Sequence, residues 1–97
     1  MALNQKLTPI LHGRQISKCE AAPDHLTVSF TDGSQLLLQL ATSAPQLPEA
    51  GRVEKVLETG SRFVLVFSDA SQIEMQLSDP GASVSLRDGR GKVEYLG

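Results

Sequence analysis

Cysteine and histidine are the residue types in this chain that most often act as nucleophiles or as soft-metal ligands. The chain has one cysteine, Cys19, and two histidines, His12 and His25. Asp24 precedes His25, so Cys19, His25 and Asp24 can be written as nucleophile, base and orienting acid. Their spacing matches neither a Cys-x-x-Cys nor a His-x-x-x-His metal motif. The sequence therefore predicts no catalytic set, no metal site and no cofactor, and a Cys19-based enzyme is the least favoured function.

Three aspartates are the other candidates for acid–base or metal chemistry. Asp32, Asp69 and Asp88 each follow an alternating apolar segment and precede a glycine or an alanine. An aspartate in such a turn accepts hydrogen bonds from the backbone amides that follow it. No local spacing supplies the further oxygen ligands that a calcium ion needs. We interpret all three as turn residues.

Basic side chains gather in one segment near the end of the sequence. Arg87, Arg90 and Lys92 surround a glycine-rich turn and predict a basic hairpin tip that can contact phosphate. Asp88 reduces the charge of this tip, and the net charge of -2 gives no sign of a polyanionic partner. Nucleic acid is therefore an unlikely partner. A small-ligand or nucleic-acid module that uses the 87–92 hairpin is the alternative function.

A repeated segment positions most of these side chains. Shifted by 37 positions without a gap, residues 15–40 align with residues 52–77. The identical pairs include Phe30/Phe67, Asp32/Asp69, Ser34/Ser71, Gln35/Gln72, Gln39/Gln76 and Leu40/Leu77. A period of this size indicates a supersecondary unit that cannot bury its apolar face alone. We predict one domain over residues 1–97, with repeats at about 15–40 and 52–77 and a C-terminal hairpin at about 83–96.

Each repeat is predicted to contain a hairpin, because apolar and polar residues alternate on both sides of its aspartate turn. Directly opposed residues of an antiparallel pair share a face. The predicted pairs are Phe30/Leu36, Val28/Leu38 and Leu26/Leu40, with Phe67/Ile73, Leu65/Met75 and Phe63/Leu77 in the second repeat. This register requires a loop with an odd number of residues and excludes a two-residue turn at Asp32-Gly33.

Three further segments complete the prediction. Ile16/Val53 and Cys19/Val56 favour an irregular strand at the start of each repeat, with a short helix at 52–59 as the alternative. Asp79-Pro80-Gly81 predicts a turn before the C-terminal hairpin. The N-terminal arm is expected to cover a sheet edge as helix or strand. Its apolar residues are spaced like one helical face, although Pro9 opposes a helix: Leu3, Leu7, Ile10 and Leu11.

Together these elements predict an all-β fold with room for one short helix. Antiparallel hairpins from the 37-residue repeat are expected to form a small open barrel or a two-layer sandwich. No stretch approaches the about 20 apolar residues of a membrane span, so we expect no membrane partner. The lone cysteine fits a reducing compartment, and we predict a cytoplasmic protein.

Three apolar residues have no evident cover in the predicted sheets. Thr27 and Ser29 on the outer face of the first repeat correspond to Val64 and Val66 in the second, and Leu37 is out of phase with its strand. The N-terminal arm, another sheet layer or a second subunit must cover them. The leading hypothesis is a small non-catalytic β-domain that binds a protein partner or forms a homodimer through Leu37, Val64 and Val66.

Overall fold

The computed structural model describes residues 2–48, 50–79 and 81–97. Within them the chain is mostly β, with a single short helix, which confirms the predicted fold class. The elements in chain order are α1 (Leu7–Leu11), β1 (Ile16–Ala22), β2 (His25–Phe30), β3 (Gln35–Gln39), β4 (Val53–Thr59), β5 (Arg62–Phe67), β6 (Gln72–Gln76), β7 (Val84–Arg87) and β8 (Val93–Leu96). The predicted turn at Asp79-Pro80-Gly81 includes Pro80, which lies outside the described residues.

Two antiparallel sheets enclose one hydrophobic core. The first has the strand order β1-β2-β3-β7-β8, and the second has the order β4-β5-β6. The sheets meet at two isolated bridges, Gln15 with Arg52 and Leu40 with Leu77, and no closed barrel forms in the described residues. Inward side chains of both sheets and of α1 form the core cluster. The alternation of apolar residues is thus explained by burial of one face of each sheet.

Positions 37 residues apart have matching backbone bonds. Each isolated bridge between the sheets joins two such positions. Where the sheets meet, the Ala41 N–H donates to the Gln76 carbonyl at 2.9 Å, and the Ser78 N–H donates to the Gln39 carbonyl at 3.0 Å. The register shifts at the same place in β1 and β4, just after their first residues. The irregular strands predicted for both segments are confirmed, and no helix forms at 52–59.

The predicted hairpin register was wrong by two residues. Leu38 lies opposite Leu26 and Leu36 opposite Val28, while the Phe30 N–H donates to the Ser34 carbonyl at 2.9 Å. The observed pairs of the second hairpin show the same shift: Leu65/Ile73 and Phe63/Met75. A three-residue loop replaces the five residues that the prediction required. The odd loop length and the shared faces were correct, because a shift of two residues preserves the side-chain alternation.

The aspartates stabilise these short loops. Asp32 Oδ1 accepts the Ser34 N–H at 2.9 Å and the Ser34 hydroxyl, and Asp69 accepts the equivalent bonds from Ser71. These hydrogen bonds hold the pKa of both aspartates below its ordinary range. Asp88 Oδ1 accepts two amides of its own turn, at 2.9 Å each. All three aspartates therefore bond their own turns, as the sequence interpretation predicts.

The third loop residue of each hairpin requires a left-handed backbone. Gly33 has a φ of 88° and Ala70 a φ of 73°. A left-handed alanine costs about 1–2 kcal/mol, which exceeds the about 0.4–1 kcal/mol of chain entropy that a glycine adds to the unfolded state. Ala70→Gly should therefore raise the free energy of unfolding by about 0.5–1 kcal/mol, and Gly33→Ala should lower it by a similar amount. Urea denaturation of both variants tests this, and a destabilised Ala70→Gly would contradict the left-handed loop.

The N-terminal arm, residues 2–11, covers the edge of β4 first as strand and then as helix. Leu3 bridges Leu57, and the Asn4 N–H donates to the Val56 carbonyl at 2.8 Å. Helix α1 then follows, with Leu7 fully buried in the core. Pro9 is tolerated because it lies in the first turn, where backbone N–H groups have no intrahelical partner. The arm thus adopts both forms that the sequence left open.

Candidate functional site

Val64 and Val66 are already covered within the single chain. They lie on the outer face of the three-stranded sheet, yet only 4% and 6% of their surfaces are exposed. Val64 has Leu57 and Glu74 as its cross-strand neighbours, and Glu74 forms an ion pair with Arg62 on the same face. The interface predicted at these valines stays a prediction, but they present little surface to a partner.

Leu37 lies on the other sheet, away from both valines. It is half-buried, and Ser85 and Leu96 continue its row across the sheet. The same three residues line a shallow cavity of about 320 Å³. Leu96 is 69% exposed, and the sequence analysis did not identify it. The register shifts between β7 and β8, so the alternation of apolar residues along the sequence does not predict the position of Leu96.

The predicted phosphate contacts do meet at one hairpin tip. Arg87, Arg90 and Lys92 are all exposed there. Arg87 Nη1 donates to the Gly91 carbonyl at 3.1 Å, so this guanidinium helps to hold its own hairpin. Phosphate binding at this tip stays a prediction.

Cys19 and His25 do not form a catalytic pair. Cys19 lies opposite Val28 on the inner face of β1, whereas His25 lies on the outer face of β2 and bonds Asp24 at 2.9 Å. Partial burial raises the pKa of the Cys19 thiol, which disfavours the reactive thiolate at neutral pH. Within residues 2–48, 50–79 and 81–97, no group of three or more His, Cys, Asp or Glu side chains is arranged to hold a metal ion.

The hydrogen-bond phase of β2 decides which backbone groups of β1 are free. In an antiparallel ladder, alternate residues of a strand bond to opposite neighbours. The bond from the Phe30 N–H to the Ser34 carbonyl shows that even-numbered residues of β2 face β3. Odd-numbered residues such as Thr27 and Ser29 therefore bond to β1.

Two residues of β1 consequently direct their backbone groups away from the sheet. Ser29 and Thr27 pair with Lys18 and Glu20, so the N–H and C=O groups of Cys19 and Ala21 point to the outer side of the strand. No hydrogen bond to these groups comes from any residue that the structure describes on that side. We call this strip of β1, residues 18–21, the open edge.

In β4 the hydrogen bonds alternate as they do in β1, but the outer edge of β4 is covered. There the outward groups belong to Val56 and Glu58, and the N-terminal arm bonds to both groups of Val56 and to the Glu58 N–H. The Glu58 N–H donates to the Ala2 carbonyl at 2.8 Å, and the Val56 N–H donates to the Thr8 hydroxyl at 3.0 Å. β1 and β4 thus share the position of the register shift and the alternation of hydrogen bonds. They differ because the N-terminal arm lies beside β4 and not beside β1.

An apolar groove of about 400 Å³ lies beside the open edge. Cys19 and Ala21 line it from β1, and residues 44–47 line it from the other side. On that other side, Ala44 is partly buried against the core. The edge therefore combines free backbone groups with an unfilled apolar groove.

The outer face of the open edge is charged. Lys18 and Glu20 form an ion pair at 2.7 Å, and about two thirds of each side chain is exposed. Since the pair lies at the surface, it contributes little to the stability of the single chain. Its two opposite charges are nevertheless available to an added strand.

Comparison of the chain with protein-family models, with curated proteins and with solved structures finds no match. In the described part of the chain, no helix has the length and apolar character needed to cross a membrane.

Proposed function

We propose that the protein is a non-catalytic β-domain that acts by binding a protein segment as an additional strand at the open edge. The outward N–H and C=O groups of Cys19 and Ala21 carry this proposal. Strand addition takes its affinity from such main-chain groups and its specificity from pockets for alternate side chains. The groove beside β1 lies where alternate side chains of an added strand would point. A cytoplasmic location stays a prediction from the sequence.

The arm on β4 supports the proposal from within the same fold. Residues 2–4 add to β4 as a short strand, with hydrogen bonds to Val56 and Glu58. Leu7 then buries its side chain behind that edge. A strand edge with the register and phase of β1 can therefore accept an extended segment with a following apolar residue.

Selection of extended peptides displayed on phage would test the proposal. Native chain serves as the bait, and the Ala21→Pro variant is the comparison. Proline removes the outward N–H of Ala21 and places its ring at the free edge without breaking a bond to β2. We expect peptides that bind the native chain, shift the amide resonances of Cys19 and Ala21, and fail to bind Ala21→Pro. Peptides that bind both proteins equally, or that shift other residues only, would contradict the proposal.

Proline at two adjacent positions should have very different effects on stability. Ala21→Pro leaves the β1–β2 bonds intact and should change the free energy of unfolding by less than about 1 kcal/mol. Glu20→Pro removes an N–H that bonds to Thr27 and leaves a carbonyl unpaired, which should cost about 2 kcal/mol. Urea denaturation measures both. Equal losses would show that the assigned phase of β1 is wrong.

A further inference from the structure

We propose that the segment bound at the open edge is β1 of a second copy of this chain, and this inference rests on the proposed function. Two β1 strands pair antiparallel about a two-fold axis, with Cys19 of one copy opposite Cys19 of the other. The two five-stranded sheets then join into one continuous sheet. A closed two-fold dimer is the commonest arrangement for self-association.

Few registers are possible for such a pair, because only alternate residues of β1 have backbone groups that point outward. Outward groups lie at Cys19 and Ala21, so a two-fold axis that pairs them passes through residue 19, 20 or 21. An axis at residue 20 sets Glu20 of both copies against each other, which is unfavourable. An axis at residue 21 sets Glu20 against Ala22.

Among the residues of β1 itself, Ile16–Ala22, only the axis at Cys19 sets opposite charges against each other. It sets Lys18 of each copy against Glu20 of the other, on the outer face of the joined sheet. Two symmetric cross-strand ion pairs result, and each copy contributes the lysine of one pair and the glutamate of the other. The intrachain pair at 2.7 Å shows that both side chains already lie on this face.

The inner face is complementary in the same register. Cys19 and Ala21 line the apolar groove of each copy. Pairing of the two strands brings the grooves together across the axis and removes their open side from water. The dimer therefore buries apolar surface on one face, pairs charges on the other and satisfies the free backbone groups of Cys19 between them, while Ala21 of each copy faces Ser17 of the other.

Charge exchange at residues 18 and 20 tests the register. Light scattering over a range of concentrations should show a dimer for the native chain. Lys18→Glu and Glu20→Lys each replace two attractive pairs by two repulsive ones, and each should weaken dimerisation by roughly tenfold or more. The double variant Lys18→Glu/Glu20→Lys reverses both charges together and should restore the native dissociation constant within about threefold.

The matched control is Lys55→Glu. Lys55 stands 37 positions after Lys18 and is exposed on β4, whose edge the arm already closes. This variant should leave the dissociation constant unchanged. Circular dichroism of all four variants confirms that the exposed substitutions preserve the fold.

Oxidation with diamide reports the same register chemically. Diamide takes two hydrogen atoms from two thiols that lie close together and leaves the two sulfurs joined as a disulfide. Cross-linked dimer should form in the native chain and be lost in Lys18→Glu and in Ala21→Pro. Cys19 is the single cysteine and is exposed in the isolated chain. A dimer that resists cross-linking under conditions where free Cys19 is labelled would overturn the axis at Cys19.

The outcomes separate this inference from the proposed function. A native chain that stays monomeric at all concentrations, or a double variant that fails to restore the dimer, overturns the second copy as the occupant. If the selected peptides then still require Ala21, the proposed function stands with another protein as partner. If they do not, the proposed function fails as well.

Discussion

Leu7→Ala should lower the free energy of unfolding by about 3 kcal/mol, although the residue belongs to a helix of only five residues near the start of the chain. A helix this short has little stability of its own. Its position depends on the burial of Leu7 and Leu11, both 0% exposed, and on the bonds between the arm and β4. Removing the Leu7 side chain leaves a cavity in the core that the two sheets share. Urea denaturation measures the loss.

Leu3→Ala is the matched control for this prediction. Leu3 lies in the same arm and bridges β4, but 46% of its surface is exposed. Its truncation should cost less than about 1 kcal/mol because little apolar area returns to water. If Leu7→Ala costs no more than Leu3→Ala, α1 does not pack into the core as described.

The double variant Val64→Thr/Val66→Ser should lower the free energy of unfolding by about 3 kcal/mol and leave the oligomeric state unchanged. Both valines are nearly fully covered by the single chain. The variant therefore places two hydroxyl groups where water is excluded. Denaturation measures the stability, and light scattering measures the mass under conditions where the variant is folded.

The control for this variant makes the opposite substitutions at the corresponding positions of β2, Thr27→Val/Ser29→Val. Both residues are half-buried on the outer face of β2, so the exchange should change stability by less than about 1 kcal/mol. If the native chain is a dimer and the folded Val64→Thr/Val66→Ser variant is a monomer, the interface lies on β5 and the assignment to β1 is wrong.

The sequence predicted the strands well because burial of one sheet face imposes a strict alternation. That alternation survives a shift of two residues, which is why it could not determine the register. The register depends on the loop, where Gly33 and Ala70 adopt left-handed backbones and Asp32 and Asp69 bond the following serines. An alanine in that conformation is not expected from composition alone.

The candidate site was much harder to predict from the sequence. Val64 and Val66 were identified because they are apolar on a second face, yet both are nearly fully buried within the single chain. The open edge has no unusual composition. It arises because the N-terminal arm lies on β4 and not on β1, and because Ala44 lines the groove beside β1. Neither tertiary fact is encoded in a local pattern.

Amide hydrogen exchange at four positions distinguishes the open edge of β1 from the covered edge of β4. The amides of Val56 and Glu58 bond to the N-terminal arm and should be protected at every protein concentration. The amides of Cys19 and Ala21 should exchange fast in dilute solution and become protected as the dimer forms. Protection of Cys19 and Ala21 that does not change with concentration, while the protein dimerises, would contradict the open edge as the site of association.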